Sequence, residues 1–177
     1  MCGIAGFAAL DPRRSPDPRP VEGMLRRIAH RGPDDDGVHA APGIVLGHRR
    51  LSIIDPAGGH QPIFGQRPET AIICNGEFYN YREVAHELSY RAHRFRTASD
   101  TEVAAHAYDA WDLGFLDKLD GMFALALWDG ARRRLVLARD RMGEKPLYYA
   151  VADGLLIFAS ELTAVLAHPA IEADIDP

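Results

Sequence analysis

Apolar residues recur with the period of an α-helix in three segments of the chain. The first segment follows Asp17-Pro18, the second follows Asn80, and the third follows Ser99. Their apolar positions are Val21, Met24, Leu25 and Ile28, then Tyr81, Val84, Ala85 and Leu88, then Val103, Ala107, Ala110 and Trp111. The last two segments have a glutamate three residues after their start, which is typical of a helix N-terminus. Each segment is predicted to be a helix with one buried face.

Six other apolar runs are too short for helices, and several lack polar alternation, which is typical of strands covered on both faces. They are Ile4 to Leu10, Ile44 to Leu46, Ala71 to Cys74, Met122 to Trp128, Leu135 to Ala138 and Leu155 to Ala159. The pairs Asp129-Gly130 and Asp153-Gly154 predict tight turns between antiparallel strands. Strands buried on both sides need a layer on each side. The pattern therefore predicts an α+β fold, a four-layer sandwich of two mostly antiparallel sheets with helices outside.

Length and composition fit one globular domain, because 177 residues with 47% hydrophobic and 25% charged positions can bury a sizeable core. The net charge of -5 does not favour nucleic acid or an anionic membrane as a partner. No run is apolar over the roughly 18 to 20 residues of a membrane span, and no basic region starts a signal peptide. A cytoplasmic location is expected, with Cys2 and Cys74 as free thiols.

Four loops rich in glycine and proline are expected to hold the functional groups, as loops do in most folds. They are "HRGPDDDG" at 30 to 37, "HRRLSIIDPAGGHQP" at 48 to 62, "NGEFYNY" at 75 to 81 and "RDRMGEKPLYY" at 139 to 149. The end of the sequence, "HPAIEADIDP", is polar and has no predicted element of its own. It is interpreted as a cut or a domain boundary.

Cys2 has two interpretations. As a small apolar residue at the start of a strand it could belong to the core. If Met1 is removed, however, one residue carries both a thiol and a free α-amine. An α-amine has a pKa of about 7.7 to 8.0 and can accept the proton of its own thiol. Cys2 would then be an N-terminal nucleophile that needs no separate histidine.

Three other positions are equally ambiguous on their own. Asn75-Gly76 could be a plain turn, or a side-chain amide and a backbone N–H that stabilise an oxyanion. Arg50 could be a surface charge, or a bidentate ligand for a carboxylate. Asp100 could act on the helix dipole after Ser99, or pair with a substrate ammonium.

Metal and nucleotide sites are not favoured by the sequence. The eight histidines form no H-x-x-x-H pair and the two cysteines no C-x-x-C pair, so no metal is expected. Neither G-x-x-x-x-G-K-[ST] nor G-x-G-x-x-G occurs.

Several segments appear in one order with compatible spacing from residue 1 to residue 168. They are "MCGIAGF", "HRGPD", "GHRRLSIID", "GHQP", "NGEFYNY", "SDTEV" and "RDRMGEKPLYY" with "FASEL" after it. Together they resemble the N-terminal glutaminase domain of glutamine-hydrolysing asparagine synthetases, which are class II glutamine amidotransferases. The resemblance implies the αββα Ntn-hydrolase fold. It also implies an amidotransferase domain over residues 1–168, with residues 169–177 starting a linker to a C-terminal synthetase domain.

The resemblance assigns a catalytic role to three residues. Cys2, freed by removal of Met1, would be the nucleophile that attacks the side-chain amide of L-glutamine. The side chain of Asn75 and the N–H of Gly76 would form the oxyanion hole.

The resemblance also assigns five substrate-binding residues. Arg50 would bind the α-carboxylate of glutamine, near backbone groups of Leu51 and Ile53. Asp100 would bind the α-ammonium, helped by Glu77.

The resemblance further implies a larger C-terminal domain that uses ATP and Mg²⁺ to adenylate aspartate and receives the ammonia. Its S-G-G-x-D pyrophosphate loop is absent from these residues, so the chain is predicted to hydrolyse glutamine without making asparagine. The 139–149 segment and a terminal helix from Ser160 are expected near that domain.

No cofactor is expected for the glutaminase domain. The oligomeric state is left open, with a homodimer among the alternatives.

Two other functions stay open. The same glutaminase could serve a different acceptor, such as a peptide or a cell-envelope sugar. Alternatively, the domain could bind glutamine without hydrolysing it, as a silent sensing or scaffolding module.

Overall fold

The computed structural model describes residues 1–11 and 13–173, and this part of the chain contains nine strands and four α-helices. The strands are β1 (Gly3–Ala9), β2 (Asp35–Ala41), β3 (Ile44–Arg50), β4 (Ile63–Phe64), β5 (Thr70–Phe78), β6 (Gly121–Asp129), β7 (Arg134–Arg139), β8 (Tyr148–Ala152) and β9 (Leu155–Ala159). The helices are α1 (Pro20–Arg27), α2 (Tyr81–Tyr90), α3 (Asp100–Trp111) and α4 (Leu162–Val165). All six predicted strands, the three predicted helices and the terminal helix are therefore present.

The strands form two sheets. Sheet I has the order β2-β3-β1-β9-β8, and sheet II has the order β4-β5-β6-β7. All neighbouring strands are antiparallel. The two predicted hairpins join β6 to β7 and β8 to β9. β1 lies in the centre of sheet I because it pairs with β3 on one side and with β9 on the other.

Three apolar clusters separate four layers, which confirms the predicted sandwich. One cluster packs the outer face of sheet I against α1 and α4 and includes Phe7, Met24 and Val165. A second, with Ile4 and Ile73, fills the space between the two sheets. The third packs sheet II against α2 and α3. Successive side chains of β1 enter the first and second clusters in turn, which explains why its sequence lacks polar alternation.

Three strands differ from the sequence-based expectation. β2 and β8 form the two edges of sheet I, and half of their residues face solvent. β2 has the polar composition of a loop, whereas β8 is apolar and begins inside the predicted 139–149 loop. β4 has two residues, too few for any pattern. β5 extends to Phe78, so Asn75-Gly76 lies inside a strand and the expectation of a turn there is wrong.

The N-terminus of α3 agrees with the sequence, because the Oγ of Ser99 accepts a hydrogen bond from the N–H of Thr101 at 3.3 Å. The N-terminus of α2 has no such side-chain cap. The amide of Asn80 instead donates to the carbonyl of Lys118 at 2.9 Å and accepts from the N–H of Asp120 at 3.0 Å.

The predicted linker at 169–177 is described in part. Ala170 and Ile171 pack against the cluster that holds α1 and α4 on sheet I. Residues 174–177 lie outside the described residues. Within the described part of the chain, no helix is long and apolar enough to cross a membrane.

Candidate active site

A cavity of about 180 Å³ lies where the start of β1, the end of β3, the end of β5 and the start of α3 meet. The eight site residues named from the sequence all line it. They are Cys2, Arg50, Leu51, Ile53, Asn75, Gly76, Glu77 and Asp100. The fold thus brings together residues up to 98 positions apart in the chain. The volume is below the roughly 300 Å³ at which sites for drug-sized ligands begin, and it suits a small metabolite.

Cys2 is held at one end of this cavity by four hydrogen bonds. Its Sγ accepts from the N–H of Leu51 at 3.4 Å and donates to the carbonyl of Leu51 at 3.6 Å. Its own carbonyl accepts from Nε of Arg31 at 2.9 Å. The surroundings of Asn75 assign its amide so that Nδ2 donates to the same carbonyl at 2.9 Å, while Oδ1 faces Nη2 of Arg31 at 3.3 Å. The thiol therefore has a fixed position although it is next to the chain start.

Burial raises the pKa of the Cys2 thiol. The N–H of Leu51, the positive N-terminus and Arg50 oppose this shift, while the negative charge of Asp100 adds to it. A thiol with a raised pKa stays protonated at neutral pH. Since the thiolate is the nucleophile, Cys2 needs a base to become reactive.

The outer edge of β5 is open beside the cavity. β4 pairs with only two residues of β5, Ala71 and Ile72, so the ladder stops there. Beyond it, the N–H of Cys74 donates to Oε1 of Gln61 at 2.7 Å, and the N–H of Phe78 donates to Oδ2 of Asp100 at 2.9 Å. Side chains thus take over from a neighbouring strand along this edge.

The N–H of Gly76 faces the same edge. Along an antiparallel strand, N–H groups alternate between the partner strand and the opposite edge. Those of Cys74 and Phe78 both leave β5 at its open edge, and the pairing with β6 has no bulge between them. Gly76 lies midway between these two residues. Its N–H therefore points towards the cavity, next to the side chain of Asn75.

Position 76 requires glycine because β6 passes too close for a side chain. A Cβ added there would lie 2.1 Å from the carbonyl oxygen of Met122 and 2.6 Å from Cα of Phe123. Both atoms belong to backbone and cannot move aside. The close approach of β6 therefore leaves room only for glycine at this position.

Asp100 places a buried carboxylate on the opposite wall. Its Oδ2 accepts from the N–H of Phe78, and its Oδ1 accepts from the N–H of Thr101 at 2.9 Å. Burial raises the pKa of this carboxyl, and the two N–H groups partly offset the shift. The negative charge of Glu77 raises the pKa further. A cation entering the cavity would offset the cost of burying the Asp100 charge and would weaken its repulsion by Glu77.

Arg50, at the end of β3, is 5% exposed and supports the loop that follows it. Its Nη1 donates to the carbonyl of Pro56 at 3.0 Å, and its Nη2 donates to the carbonyls of Ile54 and Asp55 at 3.2 and 2.7 Å. These bonds use three of the five N–H groups of a guanidinium. Gly59 permits this position, because a Cβ there would lie 2.5 Å from Nη2.

The remaining expected residues have smaller roles in the geometry. Leu51 contacts the thiol through its backbone, whereas Ile53 is 62% exposed on the loop after β3. Glu77 is near enough to Asp100 to raise its pKa. The structure therefore brings all eight residues to one cavity.

Four further polar residues line the cavity without a site role assigned from the sequence, namely Gln61, Ser99, Thr101 and Lys145. Gln61 is buried and bridges β5 to α3, since its Nε2 also donates to Oγ1 of Thr101 at 3.4 Å. The "GHQP" segment contains Gln61 and was the available signal. Lys145 extends from the loop between β7 and β8 and is 7% exposed. No cluster of three or more metal-ligating side chains is present in the described residues.

Known proteins resemble this chain in sequence. Asparagine synthetase 3 (glutamine-hydrolysing) of Bacillus subtilis is 40% identical over 178 residues, which cover 99% of this chain and 29% of that protein. Asparagine synthetase 2 (glutamine-hydrolysing) of Arabidopsis thaliana is 42% identical over 167 residues, covering 93% of this chain and 28% of that protein. The chain thus spans less than a third of the length of these curated relatives.

Solved structures share the fold. The glutamine phosphoribosylpyrophosphate amidotransferase from Bacillus subtilis superposes with a TM-score of 0.75 at 20% identity, over 94% of this chain and 43% of that one. An allosteric regulatory enzyme of purine biosynthesis gives a TM-score of 0.77 at 20% identity, over 96% of this chain and 44% of that one. The Ntn-hydrolase fold expected from the sequence is confirmed. A family model for the glutamine amidotransferase domain matches residues 1–177, and the chain belongs to this family.

Proposed function

We propose that this domain hydrolyses L-glutamine to L-glutamate and ammonia through a thioester on Cys2. The observation that carries the proposal is the convergence on one cavity of a thiol, an amide edge, a carboxylate and a guanidinium. The proposal includes removal of Met1, which leaves Cys2 with a free α-amine. That amine is the base that the thiol needs, because burial raises the pKa of the thiol.

Substrate binding uses the charged side chains in the cavity wall, which are Arg50, Asp100 and Glu77. The α-carboxylate of glutamine binds the donors of Arg50 that the loop after β3 leaves unused, and the α-ammonium binds Asp100 and Glu77. With its α-groups fixed in this way, the side chain of glutamine extends towards Cys2. The backbone of Leu51 and the side chain of Ile53 border the substrate.

The chemistry has two stages. The α-amine takes the thiol proton, the sulfur attacks the carboxamide carbon, and the carbonyl electron pair moves to oxygen. That oxyanion accepts from the N–H of Gly76 and from Nδ2 of Asn75. As the C–N bond breaks, the α-ammonium of Cys2 gives its proton to the departing nitrogen, which leaves as ammonia. Water then attacks the thioester carbon and passes a proton to the α-amine of Cys2. The C–S bond breaks, glutamate leaves, and the α-ammonium returns the proton to the sulfur.

The whole protein is proposed to be an asparagine synthetase, because the curated relatives carry that name and continue well beyond the residues matched here. Its C-terminal synthetase domain would use ATP and Mg²⁺ to activate aspartate and would receive the ammonia. A cytoplasmic location is part of this proposal. Product analysis of the full-length protein with aspartate and other acceptors would decide between asparagine and a different amidated product.

A glutaminase assay tests the proposal. The chain should release glutamate from glutamine, and Cys2→Ala should abolish release. The matched control is Cys74→Ala, which removes the other free thiol from the buried core and should keep the activity. Intact-mass measurement should show loss of Met1 in active protein. Glutamine binding without glutamate release would contradict the proposal and support a silent binding module.

A further inference from the structure

Lys145 has an unusual environment for a lysine. It is one of only two lysines in the chain, and it is 7% exposed, whereas Lys118 is on the surface and pairs with Glu87. Its backbone is fixed, because its N–H donates to Oδ2 of Asp140 at 3.0 Å and its carbonyl accepts from Nε of Arg139 at 2.7 Å. The loop between β7 and β8 therefore holds the Lys145 side chain in the wall of the active-site cavity.

The ammonium of Lys145 has a poor partner. Its Nζ donates to Sδ of Met1 at 3.6 Å, and a thioether is a weak acceptor. Among the described residues, no carboxylate lies within the 4.0 Å of an ion pair. Burying a cation without such a partner opposes folding, so packing alone does not account for Lys145.

The contact with Met1 links Lys145 to the reaction. This step rests on the proposed function, in which Met1 is removed and the α-amine of Cys2 takes its place in the cavity. Two amines, those of Cys2 and Lys145, then line the same cavity. Like charges repel, and the group with the lower intrinsic pKa gives up its proton first. An α-amine, at about 7.7 to 8.0, is that group.

We propose that the Lys145 ammonium keeps the α-amine of Cys2 unprotonated at neutral pH by charge repulsion, so that this amine can accept the thiol proton. Lys145 acts through the amine and is a positioning residue, not a catalytic one.

The two arginines nearest the chain start, Arg31 and Arg50, are already engaged. Arg31 pairs with Glu161 at 3.0 Å and binds the carbonyl of Cys2, and Arg50 donates to three loop carbonyls. The carboxylates that line the cavity are Glu77 and Asp100, Asp140 lies in the loop that holds Lys145, and His48 and Cys74 are buried. Asp140 accepts backbone N–H groups of its own loop, and Asp100 accepts those of β5 and α3. Lys145 is the cation that reaches the position of Met1.

The test titrates the α-amine directly. The protein is produced with Cys2 as its first residue by cleaving a tag immediately before it. It then has three primary amines, the α-amine and the two lysines. The rate of carbamylation of the N-terminal peptide by cyanate is measured by mass spectrometry against pH. The variants are Lys145→Met, Lys145→Arg as the charge-conserving rescue, and Lys118→Met as the matched control. Thermal unfolding of each variant checks that it is folded.

We expect the pKa of the α-amine to rise by about 0.5 to 1 unit in Lys145→Met, because the change removes a like charge from the same cavity. Lys145→Arg and Lys118→Met should titrate like the wild type. The acid limb of kcat/KM for glutamine should move by the same amount, with activity recovered at alkaline pH. Equal midpoints in wild type and Lys145→Met would overturn the inference. Loss of glutaminase activity in the wild type would overturn the proposed function instead, and would leave the titration readable.

Discussion

Asn75 carries two amide hydrogens, and the hydrogen bonds of the site use one of them on the carbonyl of Cys2. In the proposed reaction, the second binds the oxyanion that forms beside the thiol. Asn75 thus connects two requirements of the proposed reaction, a fixed nucleophile and a donor at the point where charge develops.

Replacing Asn75 tests this assignment. Asn75→Ala should lower kcat for glutamine hydrolysis by about 10² to 10³, the usual cost of one oxyanion donor, with KM changed much less. The matched control is Asn80→Ala, the other asparagine, whose amide bridges backbone groups outside the cavity. Asn80→Ala should cost about 1 kcal/mol of stability and leave kcat unchanged. A kcat for Asn75→Ala within threefold of the wild type would exclude Asn75 from the oxyanion hole.

The sequence predicted the eight cavity residues because their order and spacing match a known family. It did not predict roles for Gln61 and Lys145. Gln61 reaches β5 and α3 across the fold, and Lys145 reaches Met1 across 144 positions. Neither contact produces a local pattern, because it depends on where distant loops end in space.

At the scale of elements, the approach of β6 to β5 controls the site. Gly76→Ala would place a Cβ 2.1 Å from the carbonyl oxygen of Met122. Either the strands separate or the edge that carries the N–H groups shifts. We expect Gly76→Ala to lower the free energy of unfolding by about 3 kcal/mol and to abolish glutaminase activity.

Urea unfolding measures this effect, with Gly114→Ala as the matched control. A Cβ at Gly114 meets no atom within 4 Å, so this change should leave the free energy of unfolding within about 1 kcal/mol of the wild type. Equal stabilities for Gly76→Ala and Gly114→Ala would contradict the close approach of the two strands.

His48 joins the two sheets and should make the fold sensitive to acid. It lies on β3, and its Nε2 donates to the carbonyl of Cys74 on β5 at 3.1 Å. Burial lowers the pKa of His48 to about 3. The imidazole of His48 is therefore protonated near pH 6.5 in the unfolded chain but only near pH 3 in the folded chain. Stability from this residue is fully present above pH 6.5 and falls by up to about 1.4 kcal/mol per pH unit below it.

The measurement is urea unfolding between pH 7 and pH 4. His48→Gln keeps a donor for the carbonyl and removes the titration, so its stability should fall less steeply than that of the wild type. His86→Gln, on the exposed face of α2, should follow the wild type. Parallel curves for His48→Gln and the wild type would refute the assignment.

Helices and central strands could be predicted from the sequence because α1 and α2 each bury one face with the helical period, and β1 is an unbroken apolar run buried on both faces. The edge strand β2 could not, because solvent covers part of it and removes the pattern, whereas β8 followed from the turn at Asp153-Gly154 alone, without its bounds. The strand identity of Asn75-Gly76 was also missed. A polar pair inside a strand is unexpected unless that strand borders a cavity.

At the scale of the whole molecule, two-sided burial and the two hairpins predicted four layers, but not the strand order. β9 lies between β1 and β8, which are separated by about 140 residues in sequence. Pairing between strands this far apart depends on which sheet edges are free, and no local sequence pattern indicates that. The predicted domain boundary at 168 and the linker after it stay predictions.

If this chain hydrolyses glutamine and a separate C-terminal domain makes asparagine, as proposed, the products that the chain forms alone can be predicted. Supplied with glutamine, aspartate, ATP and Mg²⁺, it should yield equal amounts of glutamate and ammonia and no asparagine, because the S-G-G-x-D loop is absent from its sequence. Amino-acid chromatography measures the glutamate and the ammonia and would detect any asparagine. Asparagine formed by this chain alone would show that synthetase chemistry resides within these residues.

The central claim is that Cys2, as the first residue, is the nucleophile, and covalent trapping tests it most directly. The protein is incubated with an electrophilic glutamine analogue, and its peptides are mapped by mass spectrometry. We predict one adduct per chain, on the peptide that begins with Cys2, and protection by excess glutamine. An adduct on Cys74 or elsewhere, or on a peptide that still carries Met1, would contradict the account.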